Sequence, residues 1–197
     1  MRKIVIIVLI LIIIFGLGYM IYRIYDIQKQ EYAIYNVIID DFLHFFGRNY
    51  PKKIISIEEY TTLESLTFSF FGTKQNIDEL KYHFANKVHS ETIKNYIKRN
   101  KKSLRLNLKL FTRDILLLNK EKTNLYVDKW ESPQSTMDYP LLTLSRVGFN
   151  WRMNEAVVYL ESTPGWQCYY ILVREKGRWV IKDNVGLTEP GSSVRKR

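Results

Sequence analysis

Cysteine is almost absent from this chain of 197 residues, and Cys168 stands alone. No intramolecular disulfide is possible, so any folded part is held together by packing. A lone thiol fits either side of a membrane and leaves the compartment open. No cysteine lies near the N-terminus, so lipoprotein-type acylation has no acceptor. Histidine is nearly as scarce. His44, His83 and His89 lie in three unrelated contexts, with no His-x-x-x-His pair and no Cys-rich neighbourhood. The spacing that gathers ligands around one metal ion is therefore missing. No Gly/Ser-rich or Pro-rich linker divides the chain, and no internal repeat is evident. A Gly-rich phosphate loop is also absent, because Gly16 and Gly18 lie inside an apolar run rather than at a strand-to-helix turn. No Gly-x-Ser-x-Gly nucleophile elbow occurs. The adjacent carboxylates Asp40/Asp41 and Glu58/Glu59 point apart on a helix or a strand, so neither makes an acid/base couple. No catalytic, cofactor-binding or metal-binding residues are assigned. The chain reads as a non-enzyme, with an active site dispersed along the sequence as the alternative.

Charge is missing altogether from Ile4 to Ile21, which reads IVIIVLILIIIFGLGYMI after the basic lead Met1-Arg2-Lys3. About 18 or more apolar residues are long enough to cross the hydrocarbon layer as a helix. Residues 1–22 are read as a transmembrane anchor, residues 23–189 as a single α+β domain, and residues 190–197 as a basic, flexible tail. A cleaved signal peptide is the competing reading, with Gly16-Leu17-Gly18 imitating a small-residue site before Tyr19. The apolar character continues through Tyr19, Met20, Ile21 and Tyr22, which favours an uncleaved signal-anchor. Arg2 and Lys3 form a denser basic flank than Arg23 and Lys29, which favours the N-terminus inside and the domain outside. Tyr19, Tyr22 and Tyr25 suit a headgroup layer. The expected location is a bacterial inner membrane, crossed once, with the domain on the extracytoplasmic side.

What is abundant is apolar and basic. The chain is 46% hydrophobic and 14% aromatic, enough to build a core. Its formal net charge is +10. Lys94, Lys98, Arg99, Lys101, Lys102, Arg105, Lys109 and Arg113 fall in one span without an acid, and Arg195, Lys196 and Arg197 add a basic end. Such a patch attracts anionic lipid, an acidic protein face, an anionic polymer or nucleic acid. The plainer alternative is a solvated helix face followed by the polar face of a strand. Nucleic acid ranks last if the domain lies outside the cytoplasm.

Arg23 to Phe46 predicts a helix continuing out of the bilayer. Ile27, Ile34, Ile38, Phe42 and Phe45 recur at helical steps, widened by Tyr35, Ile39 and Phe46, with Gly47 placed to end it. Tyr50-Pro51 breaks the pattern. Lys53 to Tyr60 and Leu66 to Phe71 predict strands. Asn76 and Glu79 suggest a capping box before Ile77, Leu80, Phe84 and Val88. Ser90 is the expected cap of a second helix carrying Ile93, Tyr96 and Ile97, ending near Asn100 to Ser103. Leu104, Leu106, Leu108 and Leu110 alternate with polar residues, predicting a half-buried strand, with Asp114 to Leu118 as its hairpin partner. Lys120 to Tyr139 reads mostly as loop. Leu141 to Phe149, Ala156 to Glu161, Tyr169 to Glu175 and Arg178 to Lys182 predict four strands, with turns at Pro164-Gly165 and Lys176-Gly177. Leu144, Val158, Tyr170, Leu172, Trp179 and Ile181 are the expected core positions. Cys168 is expected to be a buried, inert thiol. Trp151 with Arg152, and Trp166, fall in predicted loops and are candidate protein-interface residues, or rings folded over the sheet edge.

The fold class that follows is α+β: a transmembrane helix continuing into an amphipathic helix, a mixed helix/strand region, and a C-terminal antiparallel β-meander. A cystatin-like helix on a sheet fits the element order. Leu144–Asn150 (LSRVGFN), Ala156–Tyr159 (AVVY), Tyr169-Tyr170 and Gly177–Ile181 (GRWVI) resemble a pattern in an uncharacterised family of bacterial membrane-anchored or secreted proteins. The resemblance covers about a quarter of the chain. It implies a bacterial envelope setting and brings no assigned activity. Family members carry Gly/Cys-rich residues between the second and third strands, where this chain has Ser162–Gln167 (STPGWQ) and Cys168 alone. The expected function is that of a membrane-tethered, non-enzymatic binding protein of the cell envelope, in the manner of an immunity protein. The partner would be an envelope protein or an anionic lipid or polymer. A cytoplasm-facing polyanion binder is the remaining alternative.

Overall fold

The apolar N-terminal run and the amphipathic stretch after it form one element. In the computed structural model, helix α1 runs unbroken over Arg2–Phe46, 45 residues. The structure describes residues 2–46, 55–62, 69–70, 73–74, 84, 86–131, 140–163 and 166–186. Side chains 6–22 of α1 are exposed, and the helix is long and apolar enough to cross a membrane. From Ile27 onward the same helix turns an apolar stripe to the domain. Tyr32, Ile34, Tyr35, Ile38, Ile39 and Phe42 are buried. Each such side chain contributes about 1.5–3 kcal/mol when fully buried. Phe45 departs from the predicted stripe and is 67% exposed.

The stripe lies against a mixed sheet of seven strands. These are β1 (Ile55–Glu58), β4 (Ile115–Leu118), β5 (Leu141–Leu144), β6 (Gly148–Phe149), β7 (Glu155–Ser162), β8 (Trp166–Glu175) and β9 (Arg178–Gly186). A separate short pair joins β2 (Ser69–Phe70) and β3 (Thr73–Lys74). The strand order is β4-β1-β5-β7-β8-β9, with β6 also on β7. Strand β1 is parallel to both β4 and β5, while β5 to β9 pair antiparallel. The predicted C-terminal meander is present. Its last turn has positive φ at both Lys176 (48°) and Gly177 (83°), the backbone that tight hairpins require.

Strand β7 is buried on both faces because the sheet is covered twice. Ala156, Val158 and Leu160, with Cys168, Tyr170 and Leu172 on β8, join the α1 core. Val157 and Tyr159, with Tyr169 and Ile171, join a second core on the other face. That face is covered by α2 (Ser90–Arg99), which contributes Ile93 and Tyr96, together with Phe84 and Val88. Period-two alternation sorts the strand residues between two helices instead of between core and water. Leu144, Val158, Tyr170, Leu172 and Trp179 are buried as expected, and Ile181 is partly buried. Helix α2 comes so close to β6 that a Cβ on Gly148 would lie 2.3 Å from the Tyr96 Cβ.

Several expectations are corrected. Leu104 to Leu110 is not a strand. After a single bridge between Arg105 and Tyr60, residues Leu108–Leu110 form a 3-10 turn. The Asn107 side chain accepts the Lys109 N–H there, a local bond that competes with extended structure. Both edges of β1 are already occupied, so beyond that single bridge the alternating leucines cannot extend a pairing along β1. Asp114 to Leu118 is accordingly no hairpin partner: β4 pairs in parallel with β1. Lys120 to Tyr139 is not mostly loop, since Lys120–Glu131 forms helix α3. Its start is capped by Asn119, whose Oδ1 accepts the Lys122 N–H at 3.0 Å. Leu141 to Phe149 is two strands, because an extra residue in the 145–147 segment shifts the register along β7. Trp166 opens β8 instead of lying in a loop. Ser90 is the first residue of α2 and not its cap. The expectations for Gly47, Tyr50-Pro51, Leu66 to Phe68, Asn76 to His83, the Trp130 side chain, Pro164-Gly165 and the tail lie outside the described residues.

Candidate functional site

The shift between β5 and β6 leaves backbone groups of residues 145–147 without ladder partners. Buried groups of that kind need partners, and most of them find side chains. Ser145 N–H bonds the Tyr159 carbonyl, and the Ser145 hydroxyl accepts the Tyr159 N–H at 2.8 Å. Asn100, just past α2, accepts the Arg146 N–H at 2.8 Å and donates to the Arg146 carbonyl at 2.9 Å. Val147 donates to Glu31 Oε1 at 3.0 Å. The Tyr35 hydroxyl lies 2.9 Å from the Ser145 carbonyl and 3.1 Å from Glu31 Oε1, so its proton is shared between two acceptors.

Glu31 is the centre of this arrangement. It is fully buried, at 0% exposure, inside the apolar stripe of α1. An isolated buried carboxylate is costly, and pairing with charge and hydrogen bonds offsets that cost. Arg99 donates to Glu31 Oε2 at 2.5 Å, and Arg146 reaches the same oxygen at 3.4 Å. Two guanidinium groups therefore face one carboxylate. Burial lowers the Arg99 pKa, and Glu31 opposes that shift. The Arg99 guanidinium also lies over the Phe149 ring, 5.4 Å from its centroid. Among the described residues, the buried Nε atoms of Arg99 and Arg146 have no hydrogen-bond partner.

Outside this triad lies a groove of about 560 Å³ between α1 and the end of α2. Ile24, Ile27 and Gln28 form one wall, and Lys98, Lys101 and Lys102 the other. A second hollow of about 350 Å³ adjoins it and includes Arg23, Lys94 and Trp151. Arg23 fixes the loop after β6: its guanidinium donates to the Trp151 carbonyl at 3.1 Å and approaches Met153 Sδ at 3.0 Å. Glu91 of α2 accepts the Trp151 N–H at 2.9 Å. The Trp151 ring is 65% exposed, with the Arg152 guanidinium 4.9 Å from its centroid.

The basic span thus divides. Lys94, Lys98, Arg99, Lys101 and Lys102 converge on the two hollows. Arg105 pairs with Glu59 and Arg113 with Asp40, while Lys109 is exposed on the 3-10 turn. Trp151 and Arg152 stand beside the groove. Trp166 is packed against Phe42 and Tyr170, with ring centroids 5.6 and 6.1 Å away. Glu31, Arg146 and Arg23 were not among the sequence candidates. The available signal was Glu31 itself, a charge four residues after Ile27 in the apolar stripe.

One other polar cluster and the lone thiol have structural roles. Glu155, at the start of β7, accepts the His89 N–H at 3.0 Å and the Thr92 hydroxyl at 2.5 Å, and lies 2.8 Å from His89 Nδ1. It caps α2 from the strand that α2 packs on, where His89 at the N-cap makes no side-chain cap bond. Burial raises the Glu155 pKa, but the Thr92 and His89 bonds prevail and hold it below the ordinary range. Cys168 is buried, and burial pushes its thiol up to about 12. A thiol so protonated is a poor nucleophile. Among the described residues no group of three or more His, Cys, Asp or Glu is placed to hold a metal ion. No family model, curated protein or solved structure matches the chain.

Proposed function

We propose that this chain is a membrane-tethered binding module of the bacterial cell envelope, acting through contact rather than catalysis, in the manner of an immunity protein. One observation carries the reading: the helix that is apolar enough to span a bilayer is the same helix that forms the domain core. The domain is therefore coupled rigidly to the anchor, with its basic groove beside the point of exit. Side chains that line the groove supply positive charge and apolar wall, with no nucleophile beside a base. The C-terminal sequence pattern, similar to that of bacterial anchored or secreted proteins, supports an envelope setting. The denser basic flank before the span supports a domain on the extracytoplasmic side.

Cross-linking of the full chain in intact membranes, followed by affinity capture, tests this reading. The expected result is repeated recovery of one acidic envelope component, protein, polymer or lipid, reduced by charge removal at Lys98, Lys101 and Lys102. Recovery of nothing specific counts against it, and so does turnover of a substrate by the purified chain. A reporter fused after Arg197 is expected to be active only outside the cytoplasm.

A further inference from the structure

The groove lies at the end of the domain that the bilayer would meet. Arg23 follows the apolar run at once, and it holds the Trp151 loop at its own level on α1. The helix rises about 1.5 Å per residue, and each headgroup layer is about 5–8 Å deep. Ile24, Ile27 and Gln28, which wall the groove, therefore fall within or just beyond that layer. Strand register brings a second loop to the same end. Glu155 pairs with Val173, and the Arg174 N–H bonds the Asn154 carbonyl at 2.9 Å. The β8–β9 turn thus lies beside the Trp151 loop, and Arg152, Lys176 and Arg178 are exposed on the two tips. Acids at this end are mostly engaged. Asp26 bonds Gln30, Glu91 bonds Trp151, Glu155 is buried in the cap, and Glu175 is exposed.

We infer that the membrane end of the domain is a headgroup-binding surface, in which the groove takes the phosphate of an anionic phospholipid from the same bilayer while Trp151 occupies the interface. This assignment rests on the tethered reading and names its partner. Two features point to a lipid phosphate. Two guanidiniums share one carboxylate at the groove base, which leaves an excess positive charge there. Lys98, Lys101 and Lys102 are exposed around the rim, where lysines gain from an anionic membrane surface. The Trp151–Arg152 pair adds an amphipathic ring of the kind enriched at membrane interfaces.

The test uses the full chain reconstituted in phosphatidylcholine vesicles and in equimolar phosphatidylcholine–phosphatidylglycerol vesicles. Phospholipid brominated on its acyl chains quenches tryptophan on contact, and Trp151→Phe isolates the Trp151 signal. The expected outcome is stronger Trp151 quenching by brominated phosphatidylglycerol than by brominated phosphatidylcholine, weakened by salt. Each of Lys98→Gln, Lys101→Gln and Lys102→Gln should lower that preference about fivefold, with near-UV circular dichroism unchanged because these side chains are exposed. Equal quenching by both lipids, or a preference that survives the triple substitution, overturns the assignment. If the preference is absent while cross-linking still recovers a protein or polymer partner, the tethered-module reading stands and the lipid assignment falls.

Discussion

Glu31 shows how much one side chain can organise. Its carboxylate joins α1 to Arg99 at the end of α2 and to the irregular segment between β5 and β6. A substitution there takes the shared, fully buried anion away from two partly buried guanidiniums. Glu31→Ala should destabilise the domain by about 3–5 kcal/mol, the usual result when a buried charge loses its partner. Chemical unfolding of the full chain in detergent, followed by tryptophan fluorescence, measures this. An effect below about 1 kcal/mol, the scale of a surface ion pair, would refute the buried-triad account. The sequence marks Glu31 only as an interruption of an apolar stripe. Its partners are 68 and 115 residues away, so no local pattern announces them.

Between elements, the junction of α2 with β7 carries a pH dependence. Glu155 caps α2 from the sheet, and its folded pKa lies below the ordinary carboxyl value. The stabilisation it brings is complete above the unfolded pKa of about 4.3, and is lost as pH falls through the lower folded value. Glu155→Gln should cost about 0.5–2 kcal/mol at neutral pH, the range for a lost cap, and should flatten the acid limb of stability. Unfolding midpoints of both proteins across the acid range test this, and parallel acid limbs would contradict it. Apolar spacing places α2 correctly yet assigns its cap to Ser90, because a cap supplied from another element leaves no short-range signature. The alternating leucines of residues 104–110 show the converse. Period two predicts a strand, but a strand needs a free neighbouring edge, and β4 and β5 take both edges of β1.

For the whole molecule, α1 is one unbroken helix that carries both a stretch long and apolar enough to cross a membrane and the stripe that packs on the sheet. An uncleaved span predicts that the chain stays with membranes through high-salt and alkaline carbonate washes and leaves only with detergent. Release by carbonate, or recovery of a soluble species beginning near Tyr19, would show a cleaved leader instead. The same packing brings three distant stretches together at one end. Residues 23–31, 94–102 and 146–152 converge because α1 crosses one face of the sheet, α2 crosses the other, and the β6–β7 loop reaches back to Arg23.

Residue order was enough to specify the apolar helix, the α+β class, the antiparallel C-terminal strands and most of their buried positions. Those features follow from local spacing, since a helix and a strand each impose a period on the chain that forms it. Three-dimensional packing was needed to cover β7 on both sides, to set β1 and β4 parallel, and to gather two arginines on Glu31. It also divided the basic span into residues that line the two hollows, residues paired elsewhere, and Lys109 exposed on the 3-10 turn. Those outcomes depend on which elements become neighbours, and a neighbour many residues away leaves no mark on local periodicity.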